Sequence, residues 1–130
     1  MASGGSFLTS DSLVLTTHGE PPDAASIVLR GNAALPGGRV YGQGVRCIDG
    51  PLRPLHRLHT AIGSGGGITV PIFRRSDPQI SMRSAERGDL IRAGENLWYT
   101  VVYRDRVVLG GCPASSAFNT TQTGRAAWSP

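Results

Sequence analysis

One hundred and thirty residues suit a single domain that buries roughly two-thirds of the surface its unfolded chain exposes. The 18 Gly and 9 Pro are high for a helical protein and ordinary for short strands joined by tight turns, and no window of about 11–18 residues sustains the apolar repeat of an amphipathic helix. A net charge of +4 rests on 13 basic residues, all arginine and spread from Arg30 to Arg125, so no basic cluster marks a nucleic-acid face, and no apolar run is long enough to span a membrane.

Residues 1–12 read as a flexible or intersubunit N-terminal arm. Phe7 and Leu8 are too few to bury it within its own domain, whereas strand addition to a neighbouring edge supplies backbone hydrogen bonds whatever the side chains are. Phe7, Leu8, Leu13 and Leu15 are therefore the candidate self-association residues. The opening Met1–Ser6 lacks the charged and apolar regions of a secretory signal.

Residues 13–130 read as one domain. Leu13–Thr17 is a strand, Gly19–Asp23 a turn, and Ser26–Arg30 the expected partner strand. Ala34–Gly44, with Pro36-Gly37-Gly38, reads as a loop around a short extended Val40-Tyr41, followed by Arg46-Cys47-Ile48 and a stop at Asp49-Gly50-Pro51. Leu55–Ile62 is a strand that Gly63–Gly67 breaks and Ile68–Phe73 resumes. Arg74–Pro78 is a turn, Gln79–Arg83 a short extended piece, and Ser84–Asp89 a connection.

Leu90–Asp105 organises the rest. Leu97, Tyr99, Val101 and Tyr103 point one way and Trp98, Thr100, Val102 and Arg104 the other, with large side chains on both faces, as in a central strand. A Gly94 turn ahead of Tyr-x-Val-x-Tyr reads as a tyrosine corner around Tyr99, with Trp98 and Trp128 packed between sheets. Arg106–Leu109 pairs back, Gly110–Pro113 leads to Phe118–Thr121, and Arg125–Trp128 closes the fold. Eight or nine short strands at this spacing predict an all-β antiparallel β-sandwich, immunoglobulin- or fibronectin-III-like or jelly-roll-like, with little helix.

The two cysteines, Cys47 and Cys112, could close a disulfide adding ~4 kcal/mol in the chain-entropy model and implying an oxidising compartment; the alternative is two unrelated thiols. His56 and His59, three apart on a strand, should face opposite sides, so neither a metal nor another cofactor is expected. No Gly-x-Ser-x-Gly occurs, and Asp77, Asp89, Glu95 and Asp105 lie by turns, where acids are common, so no catalytic residues are assigned. Gly63–Gly67 lacks the following Lys-Ser/Thr of a phosphate loop. Arg87-Gly88-Asp89 reads as a structural turn rather than an integrin-binding tripeptide. Asn119-Thr120-Thr121 matches a glycosylation acceptor and also a plain turn. Tyr41 and Tyr103, with Arg46 and Arg104, form the candidate ligand-binding set: rings to stack on a sugar, guanidinium groups for its hydroxyls or acids.

Several segments occur in a familiar order: Tyr41-Gly42-Gln43-Gly44-Val45-Arg46-Cys47, Arg83-Ser84-Ala85, Trp98-Tyr99-Thr100-Val101-Val102-Tyr103-Arg104-Asp105, Cys112-Pro113 and Phe118-Asn119. From about Leu13 to Trp128 the chain resembles a module found toward the C-termini of secreted and surface proteins of environmental Gram-negative bacteria. Gln43 stands where that pattern usually has Asp. The resemblance implies an exported, disulfide-bonded β domain and no particular activity.

The expectation is a non-enzymatic structural or adhesive module outside the cytoplasm, its signal lying beyond this chain, partnered by further copies of itself or by other surface proteins and not inserted in a membrane. A carbohydrate-binding module is the alternative. An arginine-rich shell protein contacting nucleic acid is a more distant one.

Overall fold

The computed structural model describes residues 2–50, 55–105 and 117–130. Twelve short strands and one helix follow in order: β1 (Ala2–Ser3), β2 (Ser6–Phe7), β3 (Ser10–Asp11), β4 (Val14–Thr16), β5 (Ala25–Gly31), β6 (Ala33–Tyr41), β7 (Gly44–Asp49), β8 (His56–Ile62), β9 (Thr69–Val70), α1 (Ile80–Glu86), β10 (Asn96–Arg104), β11 (Phe118–Thr120) and β12 (Gly124–Ala127). The protein is all-β and antiparallel, with little helix.

β10 is the central strand. It pairs with β5 on one side and with β11 and β12 in succession on the other, and β8 completes this five-stranded sheet beyond β5. Its alternation comes out as read: Leu97, Tyr99 and Val101 are buried on the inward face, while Trp98 and Val102 are half-exposed on the other. A three-stranded sheet, β1-β4-β9, adds Leu15 and Val70 to the same core cluster as Val28, Leu58, Leu97, Tyr99, Val101 and Trp128; Ile80 of α1 joins them. Burying each such aliphatic or aromatic side chain is worth roughly 1.5–3 kcal/mol, so this cluster is the fold's main source of stability.

Several expectations are corrected. β4 does not pair with Ser26–Arg30: it lies between β1 and β9, whereas β5 lies between β8 and β10. Ala34–Gly44 is not a loop. Its glycines and proline are absorbed in a bulge of β6, where Leu35–Gly38 face the single residue Cys47 and the register resumes at Arg39 and Arg46. Ile68–Phe73 keeps only two strand residues before a tight 3-10 turn at Phe73–Arg75.

Gln79–Arg83 is not extended; it opens α1. Seven residues are too few to display a helical repeat, and the helix is anchored from outside its own segment. The buried Asp11 carboxylate accepts from Ser81 N (2.8 Å) and Ser81 Oγ (2.7 Å) at its first turn. Its end is a Schellman cap: Gly88, at φ +77°, donates to Ala85 O, and Asp89 N donates to Ser84 O. Arg87-Gly88-Asp89 is thus the helix terminator.

Tyr99 is buried, but among the described residues its hydroxyl makes no tyrosine-corner bond to the backbone. Its hydroxyl accepts from Trp128 Nε1 at 3.2 Å, and burial raises its pKa. Trp128 is core as expected; Trp98 is not, being half-exposed opposite Arg125. Arg106–Leu109 and Gly110–Pro113 lie outside the described residues.

Candidate functional site

The β6–β7 hairpin turns at Gly42-Gln43, and its tip is seated on β11: Gln43 N donates to Phe118 O at 2.8 Å and Thr120 Oγ1 to Val45 O at 3.1 Å. The seat leaves no room at Gly42, where a Cβ would stand 2.4 Å from Phe118 O at a φ of +66°. From this position Tyr41 meets Phe118 edge to face, ring centroids 5.1 Å apart, and Arg46 lies over the Tyr41 ring with Cζ 5.1 Å from its centroid. The hairpin covers part of the outward face of the five-stranded sheet, and Ile48 and Thr100 are buried as a result.

The uncovered part of that face forms a groove of about 450 Å³. Ile27, Val102 and Thr60 sit side by side in register across three strands and floor it. Tyr41, Phe118, Ala25 and Ala117 also line it, and Arg104, exposed, stands where the groove adjoins a second hollow of about 510 Å³ lined by Pro21, Asp23, Ile62 and Asp105. The combination offers an apolar floor, an aromatic wall and a cation at one end.

Tyr41 and Arg104 are therefore brought together, with Tyr41 half-exposed. Arg46 is not offered to a ligand. Its guanidinium is largely buried behind Tyr41 and 3.6 Å from Asp49, so it positions the ring. Tyr103 is divided from the set: it borders the groove, but its register partner is the buried Ser26 on the inward face, and it also lines a hollow with His18, Val45, Cys47 and Thr120–Thr123. Burial, then the nearby Asp105 and Glu20 carboxylates, raise its pKa. Phe118, Ile27, Val102 and Thr60 escaped the sequence reading. Phe118 carried a signal, as the aromatic ahead of Asn119; the other three are ordinary strand residues whose grouping only cross-strand register creates.

Cys47 is exposed on β7, and Cys112 lies outside the described residues. Of the candidate self-association residues, Leu13 and Leu15 are core, Leu8 packs against the core, and Phe7 is half-exposed. The arm itself is paired within its own chain. β1 adds to β4, Leu8 N donates to Ser129 O, and Ser129 N donates to Ser6 O.

A second polar cluster lies beneath α1. Arg30, 1% exposed, is ion-paired with Asp89, which also accepts from Ser84 Oγ at 3.0 Å. Burial alone would push Asp89 upward, but the hydrogen bond and charge of Arg30, with Ser84, hold its carboxyl below the ordinary range. So enclosed a carboxylate is not displayed for an integrin. The histidines overturn their expected geometry: a bulge at Leu58 leaves that residue without a register partner, so His56, opposite Arg30, and His59, opposite Val28, both face inward. Among the described residues no group of three or more His, Cys, Asp or Glu side chains is placed to hold a metal ion. Compared with protein-family models, curated proteins and solved structures, the chain matches none.

Proposed function

We propose that this chain is a non-enzymatic adhesive module, a β-sandwich carrying a Cys47–Cys112 bridge and working outside the cytoplasm, as the surface modules it resembles do. Its binding site is the outward groove. The observation that supports this reading is the convergence of Tyr41, Phe118, Ile27, Val102, Thr60 and Arg104 around one open cleft beside a hairpin whose tip is held by specific contacts. Because the lining is chiefly apolar with a single cation at the end, it fits an apolar side chain flanked by an acidic group on a neighbouring surface protein or another copy. Three arginines, Arg30, Arg46 and Arg83, are engaged in internal ion pairs, which weighs against reading the arginine content as a nucleic-acid surface.

A second reading, glycan binding, is favoured by the half-exposed Tyr41 ring with Thr60 and Arg104 close by. Sedimentation of the full chain at high concentration, run beside a glycan array, separates the two. For the adhesive reading, wild-type protein associates, Tyr41→Ala and Arg104→Ala each weaken association about tenfold while leaving the circular dichroism unchanged, and the array stays blank. Array binding lost in both variants supports the glycan reading instead. Neither association nor array binding, or variants that behave as wild type, removes the groove as the site. Two freely alkylating thiols in the native protein would sink the bridge and, with it, the exported reading.

A further inference from the structure

The bulge in β8 places two imidazoles beneath α1, and the contact one of them makes restricts its protonation state. Arg83, on α1, directs Nη1 to His59 Nδ1 at 2.9 Å while Nε donates to Pro78 O at 3.0 Å and Nη2 lies 3.3 Å from Asp77. A guanidinium has donors only, so Nδ1 of His59 must accept, and a protonated imidazole has no lone pair there to do so. The side chain that fastens the helix to β8 is thus compatible only with neutral His59.

His56 lies two paired positions along the same face, opposite Arg30, with its Nε2 buried and without a hydrogen-bond partner among the described residues. The charges facing each ring come from β5, from the turn before α1, from α1 itself and from the segment after it. His59 faces Arg83 and Arg87, which oppose its protonation, and Asp77, which favours it; His56 faces Arg30 and Arg87 in opposition and Asp89 in favour. Among the described residues β8 is also the last strand of its sheet.

We propose that His59, seconded by His56, is an acid-released clamp on the 77–89 segment: a proton taken up from solvent at Nδ1 removes the acceptor of Arg83 and sets two cations against each other. The segment then loosens from the inward face of β8. Burial, which disfavours the charged ring and holds both histidines below their ordinary 6.5, puts the release on the acid side of neutrality.

The test is hydrogen exchange by mass spectrometry on the full chain at pH 7.5 and 4.5, with rates corrected for the intrinsic effect of pH. Residues 77–89 and β8 should lose at least tenfold of their protection at the lower pH while β10 keeps its own. His59→Asn, whose side-chain oxygen can accept from Arg83 at either pH, should remove most of that difference. Unchanged protection of 77–89 in the wild type, or an equal acid loss in His59→Asn, overturns the clamp. Should His59→Asn not fold, nitrogen NMR of the wild-type ring decides: an unprotonated Nδ1 at neutral pH with a titration below 6.5 supports the proposal, and a proton on Nδ1 at pH 7.5 refutes it.

Discussion

Asp11, Glu20 and Asp89 are buried carboxylates, and each is held by donors from distant residues or neighbouring turns: Ser81 and Leu13 N for Asp11, Thr17 and Ser26 for Glu20, Arg30 and Ser84 for Asp89. Removing one partner from a buried pair leaves an uncompensated charge, which costs about 3–5 kcal/mol. Asp89→Asn should therefore lower the urea midpoint by that equivalent with the m-value unchanged, while Arg30→Met combined with Asp89→Leu should recover most of it. The pH sign is the same for the carboxylate and the histidines, because all three have lowered folded values, and only the pH window differs. Asp89 has a lowered folded pKa, so its contribution is complete above the unfolded value and is lost as pH falls through the folded one. His56 and His59 are also lowered, but there the neutral form is the favoured one, so their contribution is complete above 6.5 and drains away as pH falls below it. A urea series should show stability declining first below 6.5 and again in the carboxylate range. A flat profile between pH 7.5 and 5 would contradict the histidine assignment.

At the scale of elements, the hairpin and the helix each depend on one residue. Gly42→Ala meets both a left-handed backbone and Phe118, so it should cost about 1–2 kcal/mol in backbone strain before any clash is relieved. It should also impair whatever the groove binds, because Tyr41 is carried on the displaced tip; melting and binding measured on the same variant check this. Asp11→Ala withdraws the acceptor of Ser81 N, Ser81 Oγ and Leu13 N. A loss of about 2–3 kcal/mol is expected, with helix signal at 222 nm falling before the sheet unfolds.

At the scale of the whole molecule, the first and last segments described are bonded to each other. The N-terminal arm lies along the last strand's exit, with Ser6 Oγ donating to Ala127 O at 2.6 Å in addition to the Leu8 and Ser129 backbone bonds. These bonds, each worth about 0.5–1.5 kcal/mol, work against an ordering cost of ~1–2 kcal/mol per residue, so the net gain is small. Deleting residues 1–10 should leave a folded protein melting a few degrees lower, on the order of 1 kcal/mol. If that deletion also dissolves an oligomer seen in sedimentation, the arm exchanges between copies; if the oligomer persists, the groove or the β8 edge carries it.

What the residues determined alone is the β character, the central place of Leu97–Tyr103 and the inward set of Leu97, Tyr99 and Val101, because strand alternation is a local, period-two property. They also marked Tyr41 and Arg104, whose chemistry is conspicuous wherever they fall. Three things were decided only in three dimensions. Strand order put β9 rather than β5 beside β4, because pairing is chosen by the shared core and not by sequence proximity. The helix at Ile80–Glu86 exists through a cap contributed by Asp11, seventy residues away from Ser81. And the two histidines face one way because a single unpaired residue, Leu58, inverts the alternation between them, a shift that no pattern of side chains along β8 announces.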